Sequence, residues 1–258
     1  MTDQTTSSFA DLVGPGTRLL LVVAHPDDET FGCGSLLLHA AALGAVTAVC
    51  CATRGEAGEV APGVELPAGG LGALREDELR EAAQLMGVHQ VELLGFRDSG
   101  MDGEAGDATL VGAPFASVEE AVARVADTVD PDVVVTLDGS DGHRDHARAR
   151  EAALSVAQAR GIPAFLQCLA RSTMERWAEF MAAGDSDSPY LSLGPLGTPD
   201  ENLTDRIDTG AHREQRWRAI RAHRSQTSPF DGLPDDLADT FLCTEHLLRV
   251  GPAGAPLA

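Results

Sequence analysis

The 258 residues contain no lysine: all nineteen basic side chains are arginines. A Schiff-base lysine, a phosphate-loop lysine and a kinase lysine are therefore excluded together. Positive charge is scarce overall. Nineteen basic residues face forty acidic ones, for a formal net charge of -21, so nucleic-acid backbones and anionic membrane surfaces are repelled. Cys33, Cys50, Cys51, Cys168 and Cys243 form an odd set without a CxxC spacing, which argues against a disulfide framework or a thiolate metal site and fits a reducing, cytoplasmic setting. The first ten residues show no basic segment followed by an apolar one, as a secretory signal would. Long hydrophobic runs are also missing: residues 34–53, the longest apolar-rich stretch, are interrupted by His39 and Gly44 and read as a buried helix and a strand, not a membrane span.

What is present is an alternation of two periodicities. Residues 18–24 are a continuous apolar run after a Gly-Pro-Gly turn, as expected of a strand buried on both faces of a parallel sheet. Residues 36–43 read as helix, 46–52 as strand, 74–85 as helix, 90–94 as strand and 118–129 as helix. Residues 133–137 form the clearest strand, and 145–160 a further helix. Helices at 173–183 and 212–222 and an apolar run at 241–250 complete the chain. This pattern predicts a single α/β domain with a Rossmann-like, doubly wound, mostly parallel sheet over residues 18–250. A polar tail at 1–17 and a short tail at 251–258 flank it. The Gly-rich stretches 55–72 and 97–114 follow predicted strands and are expected to overhang the carboxyl edge of the sheet, where open α/β sheets place ligands.

Two constellations stand at strand ends. The first is Ala24-His25-Pro26-Asp27-Asp28-Glu29, four ionisable side chains within five positions. The second is Asp138 and Asp141 followed by His143-Arg144-Asp145-His146, with the two imidazoles three residues apart on one face of a helix start. Either segment alone could serve as a turn or a capped helix start. Both lie at carboxyl ends of predicted parallel strands, however, so they can meet across a topological switch point. Imidazoles plus carboxylate is the ligand set of catalytic zinc, and equally of non-haem iron(II).

These two motifs resemble the LmbE-like deacetylase family, which includes the phosphatidylinositol-glycan GlcNAc deacetylase and the deacetylase of mycothiol biosynthesis. Gly32-Cys33-Gly34, Thr53-Arg54-Gly55-Glu56, Arg75, and Phe96-Arg97-Asp98-Ser99-Gly100-Met101 add smaller agreements, and the match thins beyond residue 160 to His223-x-Ser225-Gln226. The resemblance implies an LmbE-like fold and a zinc-dependent hydrolase that removes an N-acetyl group from a small N-acylated amino sugar. It further implies that His25, Asp28 and His146 bind zinc, that Asp27 is the general base and that His143 polarises or protonates, with Asp145 orienting it. Arg75 would bind a substrate hydroxyl or phosphate, and Glu56 would lie near the water at the metal. A carboxylate beside His143 is expected to raise its pKa, so that the acid form persists near neutral pH.

Three departures from the family pattern stand out. Gly32 replaces the lysine of the amidase branch, no tyrosine precedes the His-x-Asp-His motif (the only one is Tyr190), and Arg144 replaces a proline. The Arg144 replacement should matter little if its side chain faces outward. An amidase acting on another N-acyl amide, an iron(II) oxygenase with the same ligands and a non-catalytic binding module stay open, as does a homo-oligomer.

Overall fold

In the computed structural model, which describes residues 7–184, 191 and 194–251, the chain is organised around β1 (Arg18–Val23), buried from Leu19 onward. Strand side chains alternate between faces. Leu19, Leu21 and Val23 accordingly join one apolar cluster, and Leu20, Val22 and Ala24 join another. Parallel β2 (Val46–Cys51) and β4 (Val133–Leu137) flank β1 on opposite sides, with β3 (Gln90–Leu93) beyond β2 and β5 (Ala164–Cys168) beyond β4. The full order is β3-β2-β1-β4-β5-β7-β6. The chain thus reverses direction across the sheet between β1 and β4, which opens a crevice at their carboxyl ends.

Helices cover both faces, as the alternation predicts. The face of Leu19 packs against α3 (Gly34–Ala42), α4 (Gly70–Leu85) and α8 (Arg213–Ile220), through Leu36, Leu37, Leu79 and Ala219. The opposite face packs against α5 (Phe115–Val129) and α6 (Arg144–Arg160). In α5 the buried positions Val118, Ala121, Val122, Val125 and Ala126 follow the i, i+3, i+4 rule, and α6 ends at Gly161 in the left-handed region (φ 65°). Cys50 and Cys51 fill the two core faces, and all five cysteines are free.

The carboxyl-terminal third differs from expectation. The apolar run at 241–250 is divided: Phe241 and Leu242 end helix α9 (Asp235–Leu242), and Thr244–Val250 form β7. β7 runs antiparallel to β5 and to β6 (Asp205–Asp208), a strand hidden in polar sequence. The expected tail at 1–17 also needs correction. Its short helix α1 (Phe9–Leu12) buries Phe9, which meets Phe165 edge-on at 5.5 Å while its amide donates to Asp205 at 2.7 Å. Residues 1–6, most of the 251–258 tail and Tyr190 lie outside the described residues. Among the described residues no helix is long and apolar enough to cross a membrane.

Leu21, 1% exposed at the centre of β1, is expected to be worth about 3 kcal/mol of stability to the sheet, the usual cost of Leu→Ala in a core. A urea titration of Leu21→Ala should show the midpoint falling with an unchanged slope.

Candidate metal centre and its surroundings

The loop after β1 is drawn inward by its own carboxylate. Asp28, the first residue of α2 (Asp28–Phe31), accepts the backbone N–H groups of Ala24 (3.1 Å) and His25 (2.8 Å) on Oδ2. Its Oδ1 faces His146 Nε2 at 3.2 Å, and His25 Nδ1 lies 3.6 Å from Oδ2. His146 reaches this point from the first turn of α6, and its Nδ1 is held by Asp141 at 2.6 Å. His25 Nε2 faces Asp145 at 3.2 Å and Asp98 at 3.6 Å. One ring nitrogen from each of His25, His143 and His146 lies within 4.8 Å of the other two. The crevice between β1 and β4 therefore joins the two constellations, as the sequence reading expected.

Burial and pairing oppose each other here. Burial alone would lower His25 and His146, but hydrogen bonds accepted by Asp145, Asp28 and Asp98 hold His25 well above the usual range, and Asp28 and Asp141 push His146 up to about 10. Burial would raise Asp28, but His146 and His25 hold it well below the usual range. Both imidazoles are thus pulled toward the positive form by a surplus of buried carboxylates, a charge imbalance that a divalent cation would offset. The donor types fit the metal equally well: His25, Asp28 and His146 would hold it, with carboxylates fixing the far nitrogen of each histidine.

Asp145 does not orient His143 as expected. Its carboxylate turns to His25 and to the Ser99 amide (2.9 Å), while its backbone N–H donates to His143 Nδ1 (3.2 Å). Burial, followed by the like charge of His25 and His146, pushes His143 down to about 4, opposite in direction to the sequence expectation. With Nδ1 accepting, the neutral ring carries its proton on Nε2 and acts there as a donor.

Asp27 sits in a conformation L-residues rarely adopt (φ 143°, ψ -32°). It is pinned on both sides. Its N–H donates to Glu29 Oε2 at 2.9 Å, and the preceding carbonyl of Pro26 accepts Arg75 Nη2 (2.7 Å) and Gln226 Nε2 (3.0 Å). Glu29 is fully buried and holds His223 Nε2 at 2.9 Å. Burial, only partly offset by Arg75, raises the Asp27 carboxyl to about 6. Arg75 is 4% exposed; it pairs with Asp27 (2.9 Å) and donates to the Gly55 carbonyl (2.7 Å). The neighbouring acids serve elsewhere: Glu76 binds Arg54 and Arg80, and Glu78 takes the Ser225 amide and hydroxyl. Gly55 combines a positive φ of 61° with a position where a Cβ would fall 2.4 Å from the Arg75 guanidinium.

Glu56 is not drawn into the pocket that Asp27, Arg75 and the three histidines line; its nearest cation is Arg97 at 3.9 Å. Asp98 and Asp141 were not singled out as site residues, although both stand in quoted motifs; Asp98 is paired with His25 and lines the pocket. Arg144 does not face solvent unattached. Its guanidinium donates to the carbonyls of Ser99, Gly100 (2.8 Å), Asp102 (2.7 Å) and Gly103 (2.8 Å), which staples the loop that supplies Asp98 and the Ser99 amide.

A buried carboxylate-imidazole cluster at a switch point, beside a pinned aspartate and a buried arginine, is a donor set that suits a divalent metal in a pocket for a small ligand. Residues 20–157 match the family model PIG-L, GlcNAc-PI de-N-acetylase, and the chain belongs to this family of deacetylases. It is 36% identical to 1D-myo-inositol 2-acetamido-2-deoxy-alpha-D-glucopyranoside deacetylase of Geodermatophilus obscurus, over 90% of this chain and 91% of the relative. The same-named protein of Salinispora arenicola is 36% identical over 98% and 89%. Among solved structures, A40926 pseudoaglycone deacetylase shares the fold at a TM-score of 0.62 and 21% identity, covering 90% of this chain and 96% of its own. A 4-carboxy-2-hydroxymuconate hydratase from Pseudomonas putida shares it at 0.59 and 18%, over 92% and 97%. Fold alone therefore does not select the reaction.

Two substitutions test how the site is held. Gly55→Ala should cost about 1 kcal/mol of stability for its left-handed backbone, and it should lower activity as strongly as Arg75→Ala, because the new methyl displaces the guanidinium. Arg144→Ala should raise amide hydrogen exchange in residues 98–103, measured by mass spectrometry; unchanged exchange there would refute the staple.

Proposed function

We propose that the chain is a zinc-dependent N-deacetylase of a small GlcNAc-bearing molecule, with the substrate named for its relatives, or a close analogue, as the one to try first. The observation that carries the reading is the meeting of His25, Asp28 and His146 beside Asp27, Asp27 itself being held by Arg75. When bound, the metal supplies Lewis acidity to water and to the acyl carbonyl. Asp27 takes the proton of the attacking water and delivers it to the departing amide nitrogen; the second water proton leaves on the new carboxyl group and passes to the amine, so the products are acetate and the ammonium form of the sugar. His143 Nε2–H donates to the carbonyl oxygen as negative charge develops there, and its fixed tautomer keeps that donor in place. Asp145 acts on His25, and Arg75 binds a sugar hydroxyl with the donor capacity its fixed partners leave. Glu56 stays outside this scheme.

Gly32 speaks against the amidase alternative. A Cβ there would come within 2.9 Å of the Asp28 carbonyl and of Leu137 Cδ2, so the lysine of that branch does not fit without movement.

Acetate release from the inositol glycoside and from N-acetylglucosamine should be abolished by a chelator and restored by zinc. Restoration by iron(II) alone would reassign the metal, and release indifferent to chelation would sink the metal mechanism. Asp27→Asn should retain one equivalent of metal and lose about 100-fold or more in kcat, the usual worth of a general base. His146→Ala should lose the metal itself.

A further inference from the structure

The segment His223-x-Ser225-Gln226 follows α8 and takes no part in the reaction scheme. His223 is 2% exposed and Ser225 fully buried, yet the polar groups of the segment go to three parts of the site. His223 Nε2 lies 2.9 Å from Glu29 Oε1, and Glu29 Oε2 accepts the Asp27 N–H at 2.9 Å. Ser225 donates its N–H (2.8 Å) and hydroxyl (2.6 Å) to Glu78, which stands on α4 one turn beyond Arg75, and its carbonyl accepts the Ala61 N–H at 2.8 Å. Gln226 Nε2 donates to the Pro26 carbonyl at 3.0 Å, beside Arg75 Nη2 at 2.7 Å.

The Pro26 carbonyl and the Asp27 N–H are the two ends of one peptide unit. Both ends are therefore gripped, the oxygen by Arg75 and Gln226 and the nitrogen by Glu29 with His223 behind it. Glu29 and Glu78 are fully buried, where bonds to a carboxylate are weakened little by water. The orientation matters because Asp27 has φ 143° and ψ -32°. Turning that peptide half round between fixed Cα atoms would bring φ of Asp27 to about -40°, close to the helical region that L-residues prefer. The same turn would point the N–H at Arg75 and the carbonyl at the Glu29 carboxylate. Arg75 would lose the acceptor that keeps Nη2 alongside Asp27 Oδ2 at 2.9 Å. Left to itself, the backbone favours the orientation in which the Asp27-Arg75 pair comes apart.

We propose that His223, Ser225 and Gln226 are positioning residues for the reaction: they lock the Pro26-Asp27 peptide in its strained orientation and so keep Asp27 and Arg75 in register, while metal binding does not depend on them. The proposal rests on Asp27 being the base of the deacetylase reading above.

His223→Ala should retain one equivalent of zinc and lower kcat for acetate release, counted per bound zinc, by about tenfold or more with little change in KM, since a shift of about 1 Å at a reacting group costs up to 100-fold. His223→Gln, which keeps an N–H donor for Glu29, should restore most of it. The loss should vanish when His223→Ala is combined with Asp27→Asn, because changes that act through one group are not additive. In the metal-free protein, hydrogen exchange of a fragment spanning residues 24–31 should rise in His223→Ala, measured by mass spectrometry. An equal fold-loss with and without Asp27→Asn, unchanged exchange, or loss of the zinc would overturn the clamp; a purely structural defect lowers the folded fraction and not kcat per bound zinc. Should His223→Ala not fold, Gln226→Ala, a half-buried side chain at the pocket wall, takes the same measurements. No acetate release from the wild type would overturn the deacetylase reading and the catalytic role with it, while exchange would still report whether the segment holds the peptide.

Discussion

Five carboxylates, those of Asp27, Asp28, Asp98, Asp141 and Asp145, gather at one point of the sheet edge, and the rest of the site depends on how that charge is held out of water. Leaving such groups unpaired in a protein interior costs several kcal/mol each. Each has a partner here: Asp28 has two backbone amides and two imidazoles, Asp98 and Asp145 share His25, Asp141 holds His146 and Asp27 holds Arg75. A divalent cation would supply in this arrangement the positive charge that protons supply without it. The same pairing explains why His143 is shifted the other way: it is buried, the carboxylate two residues on is already committed to His25, and the positive pull on His25 and His146 acts beside it.

The second constraint is backbone strain. Asp27 is held at a positive φ only because groups distant in sequence fix the peptides around it, with Glu29 on one side and Arg75 and Gln226 on the other. Strain of this kind persists where the surroundings over-determine it. The buried Glu29-His223 pair is thus part of what fixes Asp27 in place. His223 and Gln226 follow α8, so the carboxyl-terminal third reaches back to set the geometry of a loop near residue 27.

Much of this was legible in the sequence because two signals coincide. β1 and β4 are continuous apolar runs, and polar clusters at the ends of such runs have no role in a core, so His25, Asp27, Asp28, His143 and His146 were readable as one site before any coordinates. What was not legible is directional. Asp145 is adjacent to His143 in the helix start, yet the turn of α6 sends its carboxylate toward β1, and spacing alone does not report that. Arg144 looked peripheral because its partners are four carbonyls, and backbone acceptors leave no mark in sequence. β6 is polar at Asp205, Arg206 and Asp208 because it is the edge strand of the sheet, and edge strands need not alternate. β5 and β7 sit in segments where a short apolar run is equally compatible with helix or strand.

The asymmetry of the sheet connects these points. On the β2 side of the crevice the walls come from loops that carry charge and are tied by Arg75 and Arg144. On the β5 side the antiparallel addition of β7 and β6 extends the sheet by two strands, and α7 (Arg171–Ala183) and α9 pack over that extension. Thr173, Met174 and Trp177 of α7 and Phe241 of α9 line the pocket together with Leu137 of β4 and Cys168 of β5. Arg216 and Glu245, buried together beneath them, tie β7 to α8 and to the end of α2. The catalytic constellation belongs to the half of the chain that resembles its family most clearly. The other half completes the pocket wall, with Leu169, Met174, Trp177, Leu196 and Phe241 packed on the strands that extend the sheet.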